Sequence, residues 1–225
     1  MRQTIKAIKK HIELEKLAGT GLFVRGQASL SGVVSGGDLS PRGHGLDTLK
    51  QEVLSCTKCG LYKTRKNVVF GAGSPKAKLM FVGEAPGMQE DLQGLPFVGR
   101  SGALLTKIIE SIGLTRGGVY IANVLKCRPP ENRNPSPAEI VTCEEYLVKQ
   151  IKLIKPAVLC ALGKFAAQTL LRSTEPISNL RGKFYDYHGA KLIPTFHPAY
   201  LLRNPSEKRL VWEDMKKIRK VLREL

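Results

Sequence analysis

Lys78-Leu79-Met80-Phe81-Val82 runs directly into Gly83-Glu84-Ala85-Pro86-Gly87-Met88-Gln89-Glu90-Asp91 and then Gly94-Leu95-Pro96-Phe97-Val98-Gly99-Arg100-Ser101-Gly102. The first five residues form a short apolar run, the signature of a buried strand. The Gly/Pro-rich stretch after it marks a loop at that strand's C-terminal end. In open α/β sheets ligands bind in the crevice outside those ends. This loop carries three acids, Glu84, Glu90 and Asp91, and one aromatic, Phe97. Such a set suits a flat, polar ligand. A plain glycine-rich connection with solvated acids would read the same way in isolation.

Outward from that loop, helical and strand patterns alternate. Leu46–Ser55 has helical spacing. Val119–Leu125, Pro156–Leu162 and Lys191–Pro194 read as further strands. Ser101–Ile112 reads as a helix stopped by Gly113. Ser136-Pro137-Ala138-Glu139 opens a helix with a capping box and a proline at its first position. Gly163–Leu171 and the basic Pro205–Leu225 complete the set. Alternation of buried strands and helices predicts a largely parallel sheet covered on both faces. Residues 1–45 differ in character: a basic start with Ile5, Ile8 and Ile12, then a Gly/Ser-rich run that reads as flexible linker. The expected division is an extension over 1–45 and one domain over 46–225.

The 225 residues carry 36 Lys+Arg against 19 Asp+Glu, a formal charge of +17. That excess points to a polyanionic partner, nucleic acid first. No stretch reaches the roughly 20 apolar residues of a membrane span, and no signal peptide is evident, so an intracellular, cytoplasmic setting is expected. In a reducing compartment, cysteines more often hold metal than form disulfides. Cys56 and Cys59 form a C-x2-C pair, while Cys127 and Cys143 are separated by fifteen residues. This quartet suits either structural zinc or an iron–sulfur cluster. The wide second spacing favours a [4Fe–4S] cluster over a zinc ribbon. Cys160, inside an apolar strand, reads as a small core hydrophobe.

Two other strand ends add polar groups. Asn123 closes the second strand; its amide offers a donor and an acceptor to a pyrimidine edge, or else serves local backbone. Lys126, Arg128 and Arg133 follow as candidates for phosphate contacts. His197, in Phe196-His197-Pro198-Ala199-Tyr200-Leu201-Leu202-Arg203, follows the fourth strand. It therefore falls on the same sheet edge as Glu84 and Asn123.

Taken together, the cysteine quartet, Gly83-Glu84-Ala85-Pro86-Gly87, Pro96-Phe97-Val98-Gly99, Asn123 with Lys126-Cys127-Arg128-Pro129-Pro130, and His197-Pro198-Ala199-Tyr200-Leu201-Leu202 resemble the family 4 uracil-DNA glycosylases. The resemblance spans about residues 46–225. It implies a three-layer α/β/α sandwich on a central four-stranded parallel sheet, and a monomer that hydrolyses the N-glycosidic bond of uracil flipped out of single- or double-stranded DNA. It implies that Phe97 stacks on uracil, Asn123 reads its edge and His197 bonds its O2. Backbone at Glu84-Ala85 lines the site, and Cys56, Cys59, Cys127 and Cys143 hold the cluster. Leu201, Leu202 and Arg203 enter or brace the DNA. Glu84, Glu90 and Asn132 are candidates for positioning the attacking water. Ala85 stands where other branches place an aspartate base, so Glu90 or Asn132 is favoured for that task. No histidine lies in residues 131–135, which disfavours a covalent uracil trap. The competing readings are a non-catalytic sensor of damaged DNA and a glycosylase with broader deaminated-base specificity.

Overall fold

A computed structural model describes residues 41–225. The expectations for residues 1–40 lie outside the described residues. The strands are β1 (Ala72–Gly73), β2 (Leu79–Gly83), β3 (Tyr120–Asn123), β4 (Val158–Leu162), β5 (Tyr185–Tyr187) and β6 (Ala190–Thr195). The helices are α1 (Pro41–Leu54), α2 (Met88–Gln93), α3 (Arg100–Ser111), α4 (Pro137–Ile154), α5 (Gly163–Leu171), α6 (Ile177–Leu180), α7 (Pro198–Arg203) and α8 (Lys208–Arg223).

The strands form one sheet in the order β1-β3-β2-β4-β6-β5. The four expected parallel strands are its centre; β1 and β5 add short antiparallel edges. The sheet is thus six-stranded where four strands were expected. Runs of two or three residues are too short to show a period, so neither edge was visible in the sequence. Helix α1 also starts at Pro41, inside the stretch read as linker, and α8 starts at Lys208, after a 3₁₀ turn over Pro205–Glu207.

Strand alternation divides the core in two. Met80, Val82, Ala122, Leu159, Ala161 and Leu192 face one side, packed with α1, α4 and α5. Leu79, Phe81, Ile121, Cys160 and Ile193 face the other, packed with Leu105 and Ile109 of α3 and Met215 and Ile218 of α8. Helices on both faces make three layers. Each fully buried aliphatic side chain stabilises this by about 1.5–3 kcal/mol. Phe81 is fully buried on the central strand; truncation to Ala costs ~3–5 kcal/mol at such sites. The capping box at Ser136 and Glu139 forms as read, and α4 ends at Lys155 in the left-handed region. Gly113 follows α3 with φ +80°, the expected stop.

From β2 the chain moves first to β3 on one side and later to β4 on the other. The switch point of the sheet therefore lies at the C-terminal end of β2. Register brings Gly83 opposite Asn123 and Leu162 opposite Thr195. The loops after β2, β3, β4 and β6 consequently share one edge. No helix among the described residues is long and apolar enough to cross a membrane.

Candidate active site

Gly83 is where that edge draws an amide and an aromatic ring together. A Cβ there would lie 2.4 Å from Asn123 Oδ1 and 2.6 Å from Phe97 Cζ. Only glycine lets the two side chains converge. Asn123 is 1 % exposed, and its Oδ1 has no hydrogen-bond partner. A buried orphan acceptor costs about 1–3 kcal/mol, so its surroundings must hold it in place. They do: Val124 N–H donates to Gly83 O at 2.9 Å and Leu125 N–H to Glu84 O at 3.0 Å. Lys126 Nζ donates to Asn123 O at 2.7 Å.

Phe97 sits against this amide with φ +52°. Residues held in that region cost of order 1–3 kcal/mol and persist only when neighbours fix them. Gly102 allows the conformation, since a Cβ there would fall 1.8 Å from Phe97 O. Glu90 Oε1 accepts from Val98 N–H and Gly99 N–H, both at 2.9 Å. Arg116 donates to Pro96 O. The Phe97 ring lies 5.6 Å from the His197 ring, centroid to centroid.

His197 caps α7: its Nδ1 accepts from Ala199 N–H at 3.1 Å. Burial first, and the charge of Arg203 second, lower its pKa to about 4, against the opposing charge of Glu90. At neutral pH the ring is therefore uncharged. With Nδ1 accepting, the proton sits on Nε2, which is left as a donor. Gly163 makes room for it, at φ +86° and with a would-be Cβ 2.8 Å from His197 Cβ.

Glu84 and Ala85 are partly buried at the pocket rim. Burial alone raises the Glu84 carboxyl to about 7. Asn132 is exposed, its Oδ1 accepting from Arg128 Nε at 2.8 Å. Of the three water-positioning candidates, then, Glu90 commits its Oε1 to backbone and Asn132 its Oδ1 to Arg128. No hydrogen bond or ion pair holds the Glu84 carboxyl among the described residues. Two further expectations are corrected by burial. Lys126 is 1 % exposed and cannot reach a phosphate; Leu201 is 0 % exposed and belongs to the core. Leu202 and Arg203 are exposed on the same short helix, so helical phase separates neighbours that look alike in sequence. Arg128 is partly exposed, and the exposed Arg133 forms a fork with Glu139 at 2.6 and 2.9 Å. Sequence reading missed the clamping part of Glu90 and the clearance at Gly163, because both depend on contacts between distant segments.

Cys56, Cys59, Cys127 and Cys143 line one hollow, walled by Val53, Tyr62 and Tyr146. Arg65 reaches in, donating from Nη1 to Cys127 Sγ at 3.2 Å and Cys56 O at 2.8 Å. Lys126 N–H lies 3.3 Å from Cys143 Sγ. Burial pushes the Cys143 thiol up to about 12 and raises Cys127 as well, opposed there by Arg65. Such thiols ionise when a cationic centre compensates them. No group of three or more His, Cys, Asp or Glu among the described residues is placed to hold a single metal ion. The quartet nonetheless fits a sulfur-ligated centre: four thiols, one hollow, and N–H donors aimed at two sulfurs. Cys160 is fully buried in β4, away from that hollow.

An aromatic ring, an amide and an imidazole donor thus gather at the switch point of the sheet, and the match to known proteins gives the class. The family model of the uracil DNA glycosylase superfamily matches residues 70–216, and the chain belongs to that superfamily. A protein of Archaeoglobus fulgidus named type-4 uracil-DNA glycosylase is 48% identical over 181 residues, covering 77% of this chain and 91% of that one. A Thermotoga maritima protein of the same name is 44% identical over 182 residues, covering 79% and 95%. A type-5 uracil-DNA glycosylase of Thermus thermophilus is 30% identical over 149 residues, covering 56% and 67%. Within the superfamily the chain is a member of the type-4 uracil-DNA glycosylases.

Proposed function

We propose that this chain excises uracil from DNA by hydrolysing the N-glycosidic bond, leaving an abasic site without cutting the strand. The observation that carries the reading is the orphan Asn123 Oδ1 beside Phe97 and the His197 donor. Uracil presents N3–H, which an amide oxygen accepts, whereas cytosine has no hydrogen at N3. The base must leave the stack to reach this pocket, at a cost of a few kcal/mol. Phe97 offers a face for stacking. As the C1′–N1 bond breaks, negative charge gathers on uracil and positive charge on the sugar. A neutral His197 Nε2–H at O2 stabilises that charge, and one such donor is worth about 3 kcal/mol. Water adds at C1′, its proton taken by Glu84. Gly83 and the Glu84-Ala85 backbone shape the wall.

Arg128, partly exposed, and Arg133, Leu202 and Arg203, exposed, are the candidates for DNA contact. The +17 charge supports attraction to phosphates. Cys56, Cys59, Cys127 and Cys143 are the ligands we assign to a [4Fe–4S] cluster, with zinc as the alternative that metal analysis decides. When bound, such a centre supplies a structural clip between the segment after α1, the loop after β3 and helix α4. The same reading has the protein acting as a monomer in the cytoplasm, where reduced thiols remain available.

The test is incubation with oligonucleotides carrying one uracil, single-stranded or opposite G or A, then alkali and a denaturing gel. Cleavage at uracil only after alkali is the expected result. Intact strands from protein with its metal centre loaded would overturn the enzyme reading and leave damage binding to be measured.

A further inference from the structure

Lys126 is a buried, nucleic-acid-inaccessible lysine that the excision chemistry leaves without a task. Its Nζ donates to Asn123 O and to Gln150 Oε1, both at 2.7 Å. Gln150, on α4 and 0 % exposed, donates in turn from Nε2 to Phe70 O at 2.8 Å and to Tyr120 Oη at 3.3 Å. No carboxylate pairs with Lys126 among the described residues. A buried amine placed only on neutral acceptors adds little as a general stabiliser, because removing it from water is costly. Its geometry is informative instead. The side chain folds back three residues to take the main-chain carbonyl of the residue whose amide forms the pocket edge. Its root is fixed as well, since Lys126 N–H lies 3.3 Å from Cys143 Sγ. Asn123 is therefore braced from behind by a strut anchored in α4 at both Gln150 and Cys143.

We propose that Lys126, held by Gln150, is a positioning residue for uracil recognition: it fixes the main chain of Asn123 so that the orphan Oδ1 meets the base edge. The proposal rests on Asn123 as the uracil reader, and its test separates the two. Lys126→Met keeps the bulk and removes the donors. Its affinity is measured for an oligonucleotide carrying 2′-fluoro-2′-deoxyuridine, whose glycosidic bond resists cleavage, and for the matching 2′-fluoro-2′-deoxycytidine strand. Each is repeated in an Asn123→Ala background. Circular dichroism and bound metal per chain report whether the fold is intact.

The expected result is a loss of about tenfold or more in uracil affinity, the size of one hydrogen bond to a charged donor, with a narrower uracil-to-cytosine ratio and unchanged metal content. In the Asn123→Ala background the further loss should be under about twofold, because two residues acting through one contact are non-additive. Equal losses in both backgrounds would show a general structural role and overturn the proposal. Should Lys126→Met not fold, Gln150→Met enters the same cycle, with the same non-additivity expected and additivity fatal. If Asn123→Ala alone leaves uracil affinity and discrimination unchanged, the reading of Asn123 fails and the proposal fails with it.

Discussion

At the scale of single residues, the site separates two titrating groups in opposite directions. Burial lowers His197 to about 4 and raises Glu84 to about 7. The signs determine the pH profile. His197 is neutral throughout the range above about 4, so it contributes no limb near neutrality. Glu84 accepts a proton from water only as the carboxylate, which accumulates as pH rises through about 7. The rate of excision at saturating uracil-DNA should therefore climb between about pH 6 and 8 and then level, as for a base tuned near working pH. Glu84→Gln should lower the plateau by about 10²–10⁴, the usual contribution of a positioned acid or base, and abolish the climb. A single-turnover pH series on both proteins measures this. An unchanged limb in Glu84→Gln would move the base elsewhere. The water-positioning residue was not legible in sequence: Glu84, Glu90 and Asn132 are equally polar on paper. The bonds from Val98 and Gly99 to Glu90, and from Arg128 to Asn132, join segments whose approach the sequence does not display.

Among the elements, the long periodic ones were legible and the short ones were not. Strands β2, β3, β4 and β6 announce themselves as apolar runs because both of their faces are buried. Helix α4 announces itself through the Ser136 capping box. Helices α2 and α7, six residues each, are too brief for a 3.6-residue period to show, yet they carry Glu90 and place Leu201 inward. Glycines were legible as loop signals but not as clearances, since clearance depends on what a distant segment brings. Gly83 is the sharpest case. Its would-be Cβ meets side-chain ends, the Asn123 amide oxygen and the Phe97 ring tip, rather than backbone. Gly83→Ala should accordingly fold, with a melting temperature within a few degrees of the parent. It should lose uracil affinity by tenfold or more, on the order of 1.4 kcal/mol, because the added methyl separates the edge reader from the stacking face. Thermal unfolding and binding of the 2′-fluorouridine strand test the two halves separately. Cooperative unfolding at a much lower temperature would show that Gly83 serves the sheet instead.

Across the whole molecule, the cysteine-lined hollow and the Asn123 main chain share one loop and one helix. The four thiols come from three separate segments: the turn after α1, the loop after β3 and the first half of α4. The same loop and helix supply Lys126 and Gln150, which back the Asn123 main chain. Their sequence spacing singled out the quartet, but not that the loop carrying Cys127 also places Lys126 behind Asn123. A centre placed there stabilises by closing long loops in the folded chain, and binding energy of that kind is folding energy. Purified without oxygen, the protein should be brown with about four irons per chain; colourless protein with one zinc would replace the cluster by the alternative. Cys59→Ala should cut metal content and lower the melting temperature strongly, because it removes one of the four thiols that line the hollow. The decisive comparison is between loss of metal and loss of excision. Since no chemical step uses the centre, the fraction of molecules still folded should carry near-parental activity at low temperature, and excision should decline on warming in parallel with unfolding. Activity that vanished while circular dichroism stayed native would mean that the centre acts on the pocket directly rather than by holding it in shape.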